Sequence, residues 1–115
     1  MNRPKLSVKF YKSGANREPE REWPKSLDEA DRKTIGDEIR VMQFGWPVGM
    51  PLVRKMQADL WEVRISLAGR VARVLFTVHA GHAVLLHGFI KKSPKTPDAA
   101  LQTAKNRLKQ LVDQP

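Results

Sequence analysis

The hydrophobic period of the chain changes near residue 52, and that change restricts the possible folds more than any other feature. Before it, apolar residues fall at helical spacing; after it, they alternate. Leu52-Val53-Arg54-Lys55-Met56 reads as a strand. Leu60 to Leu67 is a clearer one, with Trp61, Val63, Ile65 and Leu67 facing one way and Glu62, Arg64 and Ser66 the other. Ala68-Gly69 makes a tight turn. Val71 to Val78 follows, with Ala72, Val74, Phe76 and Val78 on one face and Arg73 and Leu75 on the reverse. His79-Ala80-Gly81 turns the chain again. Ala83 to Ile90 is then a nearly continuous apolar run, the pattern of a central strand covered on both sides. Strands joined by turns this short pair antiparallel.

The flanks supply helices and one further strand. Leu6, Val8 and Phe10 alternate with Ser7, Lys9 and Tyr11, a short strand closed by Ser13-Gly14. Residues 17–25 read as one or two helical turns broken by Pro24. Ser26 has the position of an N-cap, with Glu29 three residues on as its capping-box partner. The helix it starts runs to about Met42, with Ile35, Ile39 and Met42 on one stripe, and Gly45 opens a Gly/Pro-rich loop to Pro51. Thr96-Pro97 reads as N-cap and first turn of a last helix, striped by Leu101, Ala104, Leu108 and Leu111. The order predicts an α+β domain: an antiparallel β-sheet with an N-terminal helical pair and a C-terminal helix, the helices on one face. At 115 residues, with no repeat or low-complexity segment, the chain is read as a single domain, 1–115.

Charge bears on the partner. Lys and Arg number 21 against 12 Asp and Glu, a net of +9, which points to a polyanion: nucleic acid, an acidic protein or a membrane surface. The excess is uneven. Residues 1–51 hold ten basic and eight acidic side chains, whereas residues 52–95 hold eight basic (Arg54, Lys55, Arg64, Arg70, Arg73, Lys91, Lys92, Lys95) and two acidic (Asp59, Glu62). The plain alternative is a set of solvated strand faces that keep the protein soluble. The absence of cysteine excludes disulfides and thiolate metal sites and suits a reducing compartment. The first residues lead into no long apolar run, and the stretch from Ala83 to Ile90 is too short to span a bilayer. The expectation is a cytoplasmic protein without a membrane segment.

Arg64 and Arg73 flank the Ala68-Gly69 turn and fall on paired or diagonal positions of the hairpin. Like charges opposite one another destabilise a hairpin, and a phosphate gripped by both guanidinium groups would account for them. The alternative pairs Arg64 with Glu62 or Asp59 and lets Arg73 snorkel. Because Arg73 faces away from Ala72, Val74 and Phe76, it is expected to be dispensable for folding. Lys91-Lys92, with Lys95 beyond, mark the point where the apolar strand emerges: a cleft wall, or a solvated strand end. His79, His82 and His87 are the candidate proton-transfer groups. His79-x-x-His82 has no evident third metal ligand, and His87 is equally a core histidine. Trp23, Trp61, Phe76 and Phe89 have core spacing. There is no phosphate-binding glycine loop, cysteine nucleophile or paired-carboxylate signature.

Three stretches, read together, carry a resemblance: Ile35 to Lys55 (IGDEIRVMQFGWPVGMPLVRK), Leu60 to Phe76 (LWEVRISLAGRVARVLF) and Val84 to Pro97 (VLLHGFIKKSPKTP). They resemble the RelE/HigB toxin superfamily of type II toxin–antitoxin systems, in particular its phage-derived toxin-like branch. The resemblance implies a RelE-like α+β fold whose sheet binds RNA, and a metal-independent endoribonuclease that needs no cofactor and cleaves mRNA on the ribosome. It implies a cognate helix-turn-helix antitoxin as partner. It also implies Arg64, Arg73, Lys91 and Lys92 as catalytic residues. With no C-terminal tyrosine, His87 is added as a candidate proton-transfer group from its own chemistry, and the basic block supplies Arg54, Lys55, Arg70 and Lys95 as candidate RNA-binding residues. The chain departs from the better-known RelE pattern in lacking a C-terminal tyrosine; its one tyrosine is Tyr11. A non-catalytic module of the same fold, binding RNA, the ribosome or a protein partner, is the alternative. A DNA-binding regulator is disfavoured because no helix is strongly basic on one face.

Overall fold

The computed structural model describes residues 3–12, 18–19, 23–91 and 96–113. Among these, five strands and two α-helices make an α+β fold. In chain order they are β1 (Ser7–Phe10), α1 (Glu29–Gly45), β2 (Val53–Gln57), β3 (Leu60–Leu67), β4 (Arg70–His79), β5 (His82–Lys91) and α2 (Asp98–Asp113). The sheet order is β1-β5-β4-β3-β2. Strands β2 to β5 form the expected antiparallel meander, and β1 joins it parallel to β5. The turns set the register. Leu67 pairs with Arg70 around Ala68-Gly69, and His79 pairs with His82 around Ala80-Gly81. Ala80 (φ 51°) and Gly81 (φ 78°) are both left-handed, as a two-residue hairpin turn of this hand requires.

The helices do not share a face. Helix α1 lays Ile35 and Met42 against Val53, Val63, Ile65, Ala72, Val74, Phe76 and Leu85 on one side of the sheet. Helix α2 lays Ala100 and Ala104 against Leu60, Leu75, Val84 and Leu86 on the other. The apolar run of β5 is the reason. Its alternate residues are apolar toward both sides, so the second face also needs a cover.

Strand β5 carries a bulge. Phe76 pairs with Leu85 but Leu75 pairs with His87, which leaves Leu86 as an extra residue. Before the bulge, Ala83 and Leu85 face α1. After it the phase is reversed: His87, Phe89 and Lys91 pair with Leu75, Arg73 and Val71 and share their face, the α2 side.

The helix boundaries differ from the sequence reading. Asp28, not Ser26, occupies the N-cap of α1. The Ser26 hydroxyl donates to the Trp23 carbonyl at 2.7 Å and closes a 3-10 turn over Trp23–Ser26. Pro24 lies within that turn and does not break it, because the early N–H groups of a turn have no internal partner. The rest of the expected first helix, residues 17 and 20–22, and the Ser13-Gly14 turn lie outside the described residues. Helix α1 continues past Met42 to Gly45. The first hydrogen bond of α2 runs from the Leu101 N–H to the Pro97 carbonyl at 3.1 Å, so the cap position falls on Pro97 and Thr96 lies one residue outside.

Candidate nucleic-acid interface

Helix α2 covers only part of its side of the sheet. The part toward the Ala68-Gly69 turn carries polar and charged residues placed together by register. Arg54 pairs with Glu62, Arg64 with Arg73, Arg73 with Phe89, and Val71 with Lys91. Cross-strand partners share a face. Arg54, Arg64, Arg73 and Lys91 therefore converge from four strands.

Arg73 is the buried member of this group, at 1% exposure. Its Nη1 lies 3.0 Å from Oε1 of Glu62, which is fully buried. The same Nη1 donates to Thr96 Oγ1 at 2.7 Å, and the Thr96 hydroxyl donates to Glu62 Oε2 at 2.7 Å. The three side chains form a buried triad of two hydrogen bonds and one ion pair, in which Glu62 Oε1 meets the guanidinium charge without accepting a hydrogen bond from it. The triad ties the β3–β4 hairpin to the start of α2. Nε and Nη2 of Arg73 are buried and have no hydrogen-bond acceptor among the described residues. The sequence reading of Arg73 as a strand-face arginine dispensable for folding is corrected by this burial. The pairing with Glu62 offered there for Arg64 belongs to Arg73, which sits diagonally across the hairpin from it.

The electrostatics follow. Burial lowers the Arg73 pKa, Glu62 opposes that shift, and the charges of Arg64 and Arg54 add to it. Lys91 is also held below the ordinary lysine range, first by burial and then by the positive charges of Arg73 and Arg64, with Glu62 opposing. An amine displaced in this direction is a better proton acceptor near neutral pH. Beside it opens a cleft of about 480 Å³, lined by Glu38, Pro51, Leu52, Arg64, Ser66, Val71 and Lys91.

Other residues named from the sequence lie elsewhere. Lys55 pairs with Trp61 across the strands and sits 5.7 Å from its ring, on the α1 side. Arg70 is on the α1 side as well, ion-paired with the buried Asp31. The basic block is thus divided between two faces: Arg54, Arg64, Arg73 and Lys91 on one, Lys55 and Arg70 on the other. His87 faces the α2 side and stacks on Phe89, centroids 5.8 Å apart. His79 and His82 pair at the far turn. Lys92 and Lys95 lie outside the described residues. Among the described residues no three His, Asp or Glu side chains are grouped as a metal site would require, and no helix is long and apolar enough to cross a membrane. Thr96 and Glu62 are the two site residues that sequence reasoning did not assign. Glu62 left a signal, an acid in a strand otherwise facing a basic surface. The cap-like context of Thr96 concealed its role.

The model of the family described as Phage derived protein Gp49-like (DUF891) matches residues 22–109, a span that contains every residue of this cluster. The chain belongs to the Gp49-like family. No curated protein matches it. Family membership covers α1, the meander and most of α2, so the buried triad and the cleft both lie within the Gp49-like region.

Proposed function

We propose that this Gp49-like chain is the toxin of a type II toxin–antitoxin pair, a RelE-like, single-domain, cytoplasmic endoribonuclease that cleaves mRNA on the ribosome. One observation carries the reading: Arg54, Arg64 and Lys91 surround a buried arginine on the part of the sheet that α2 leaves uncovered. Such a surface suits a phosphodiester backbone, with exposed cations for affinity and one displaced amine for proton transfer.

In the proposed reaction the ribose 2′-hydroxyl attacks the adjacent phosphorus, and the bond to the 5′-oxygen breaks. The products are a 2′,3′-cyclic phosphate and a 5′-hydroxyl. Because the nucleophile is part of the substrate, no step calls for a metal-activated water. Lys91 in its neutral form takes the 2′-hydroxyl proton. Arg64 donates to the non-bridging oxygens as charge develops on them. Arg73 acts from beneath through its charge on Lys91. His87, with Lys92, is the candidate donor of a proton to the leaving 5′-oxygen. DNA, which lacks the 2′-hydroxyl, is inert in this scheme. The partner implied is a helix-turn-helix antitoxin.

The non-catalytic alternative draws on one feature. Tyr11 is buried, donates to Gln110 Oε1, and lies under the Arg107 guanidinium 5.3 Å from its ring, in the α2-covered core. It is thus placed away from the cleft. Primer extension on mRNA from a purified translation system decides between the two. Cleavage by the wild type, leaving cyclic-phosphate ends, and its loss in Lys91→Ala are the expected result. Ribosome binding with intact mRNA would favour the binding module.

A further inference from the structure

The cleft holds an acid that a phosphate site does not call for. Glu38 comes from α1, which packs on the opposite face of the sheet from Arg64 and Lys91, yet it lines the same cleft and is half-buried there. Among the described residues its carboxylate makes neither an ion pair within 4.0 Å nor a hydrogen bond, although the lysine and the arginine share its cleft. A carboxylate beside a bound phosphate weakens binding unless it has another task.

The geometry of the rim indicates the task. Strand β2 stops pairing at Val53, and the Arg64 N–H then donates to the Leu52 carbonyl at 2.8 Å. Beyond that point the outer edge of β3 is open, and Ser66 stands exposed on it. Leu52 and Pro51 give the cleft an apolar wall, Arg64 and Lys91 a cationic one, and Glu38 its carboxylate acceptor. A flat heterocycle against the apolar wall, its phosphate on the cations and its N–H edge on the acid, satisfies all three. Single-stranded RNA is commonly read in this way, through bases held on their Watson–Crick edges.

We propose that this cleft is a nucleobase subsite in which the Glu38 carboxylate reads the Watson–Crick edge of a guanine next to the scissile phosphate. The proposal rests on the ribonuclease reading above. Guanine is favoured because its N1–H and N2–H donors are parallel and match the two carboxylate oxygens. Adenine and cytosine each offer one amino group beside a ring acceptor. Uracil places its single N3–H between two carbonyls that repel the acid.

Binding of nucleoside 3′-monophosphates to the full chain tests this without requiring turnover. Guanosine 3′-monophosphate should bind roughly ten-fold tighter than uridine 3′-monophosphate, the scale of one good paired contact. Inosine 3′-monophosphate, which lacks the N2 amino group, should fall between them. Glu38→Gln should bring the guanosine-to-uridine ratio close to one without weakening the uridine nucleotide, since the repelling charge has gone. A wild-type ratio near one, or a ratio unchanged in a folded Glu38→Gln protein, overturns the base subsite and leaves the phosphate surface standing. Failure of every nucleotide to bind the wild type overturns the subsite, whereas the ribonuclease reading is decided separately by primer extension on translated mRNA.

Discussion

Arg73 shows how far one residue's role depends on its burial. An exposed strand arginine can be removed at little cost to stability. Arg73 cannot, because Arg73→Ala would leave the fully buried Glu62 without its counter-charge. The expected loss is about 3–5 kcal/mol in urea unfolding, and a change under about 1 kcal/mol would mean the triad is not formed in solution. Replacing the whole triad, Glu62→Leu with Arg73→Met and Thr96→Val, should recover most of that stability, since three apolar side chains need no partner. Lys91 gives a prediction in pH. A base must be neutral, so single-turnover cleavage should rise with pH and level off below the ordinary lysine range. Arg64→Ala removes a charge that repels the Lys91 ammonium, so the ammonium becomes easier to form and the inflection moves to higher pH. An inflection that stays in place in Arg64→Ala would remove Lys91 as the titrating group.

Among the elements, the bulge in β5 decides which residues can act together. Strict alternation from Leu85 would turn His87, Phe89 and Lys91 toward α1, and one extra residue at Leu86 turns them to the Arg73 side. Nothing in the run Ala83 to Ile90 announces this, because apolar residues stand at both phases. The turns were legible, since Gly69 (φ 69°) and Gly81 (φ 78°) occupy left-handed positions that favour glycine. Gly81→Val should therefore cost about 1–2 kcal/mol in thermal unfolding. Gly36 is the opposite case. It lies mid-way along α1 in helical backbone, and a methyl group in place of its hydrogen would meet nothing within 4 Å. Gly36→Ala should stabilise the chain by about 0.5–1 kcal/mol, and a loss of stability would show that the helix is strained there.

For the molecule as a whole, the division of positive charge between two faces makes its own prediction. If Arg54 and Arg64 both meet phosphate, the double variant Arg54→Ala with Arg64→Ala should lower the slope of log affinity against log salt for single-stranded RNA by about 1.4. Lys55→Ala, on the other face, should leave the slope unchanged. Equal effects from both variants would mean that RNA is not confined to the α2 side. The meander, its turns, the two helices and the strand register of Arg64 and Arg73 could all be read from the order of residues, because period and turn chemistry are local properties. So could the basic block. Five features could not: the helices take opposite faces, β1 joins parallel, the bulge at Leu86 turns Lys91 to the α2 side, Arg73 is buried on Glu62 and Thr96, and Lys55 and Arg70 stand away from Lys91. Each of these depends on which surfaces meet after the strands have paired, and a charge or an apolar residue reads the same in sequence whether its face is later covered or left open.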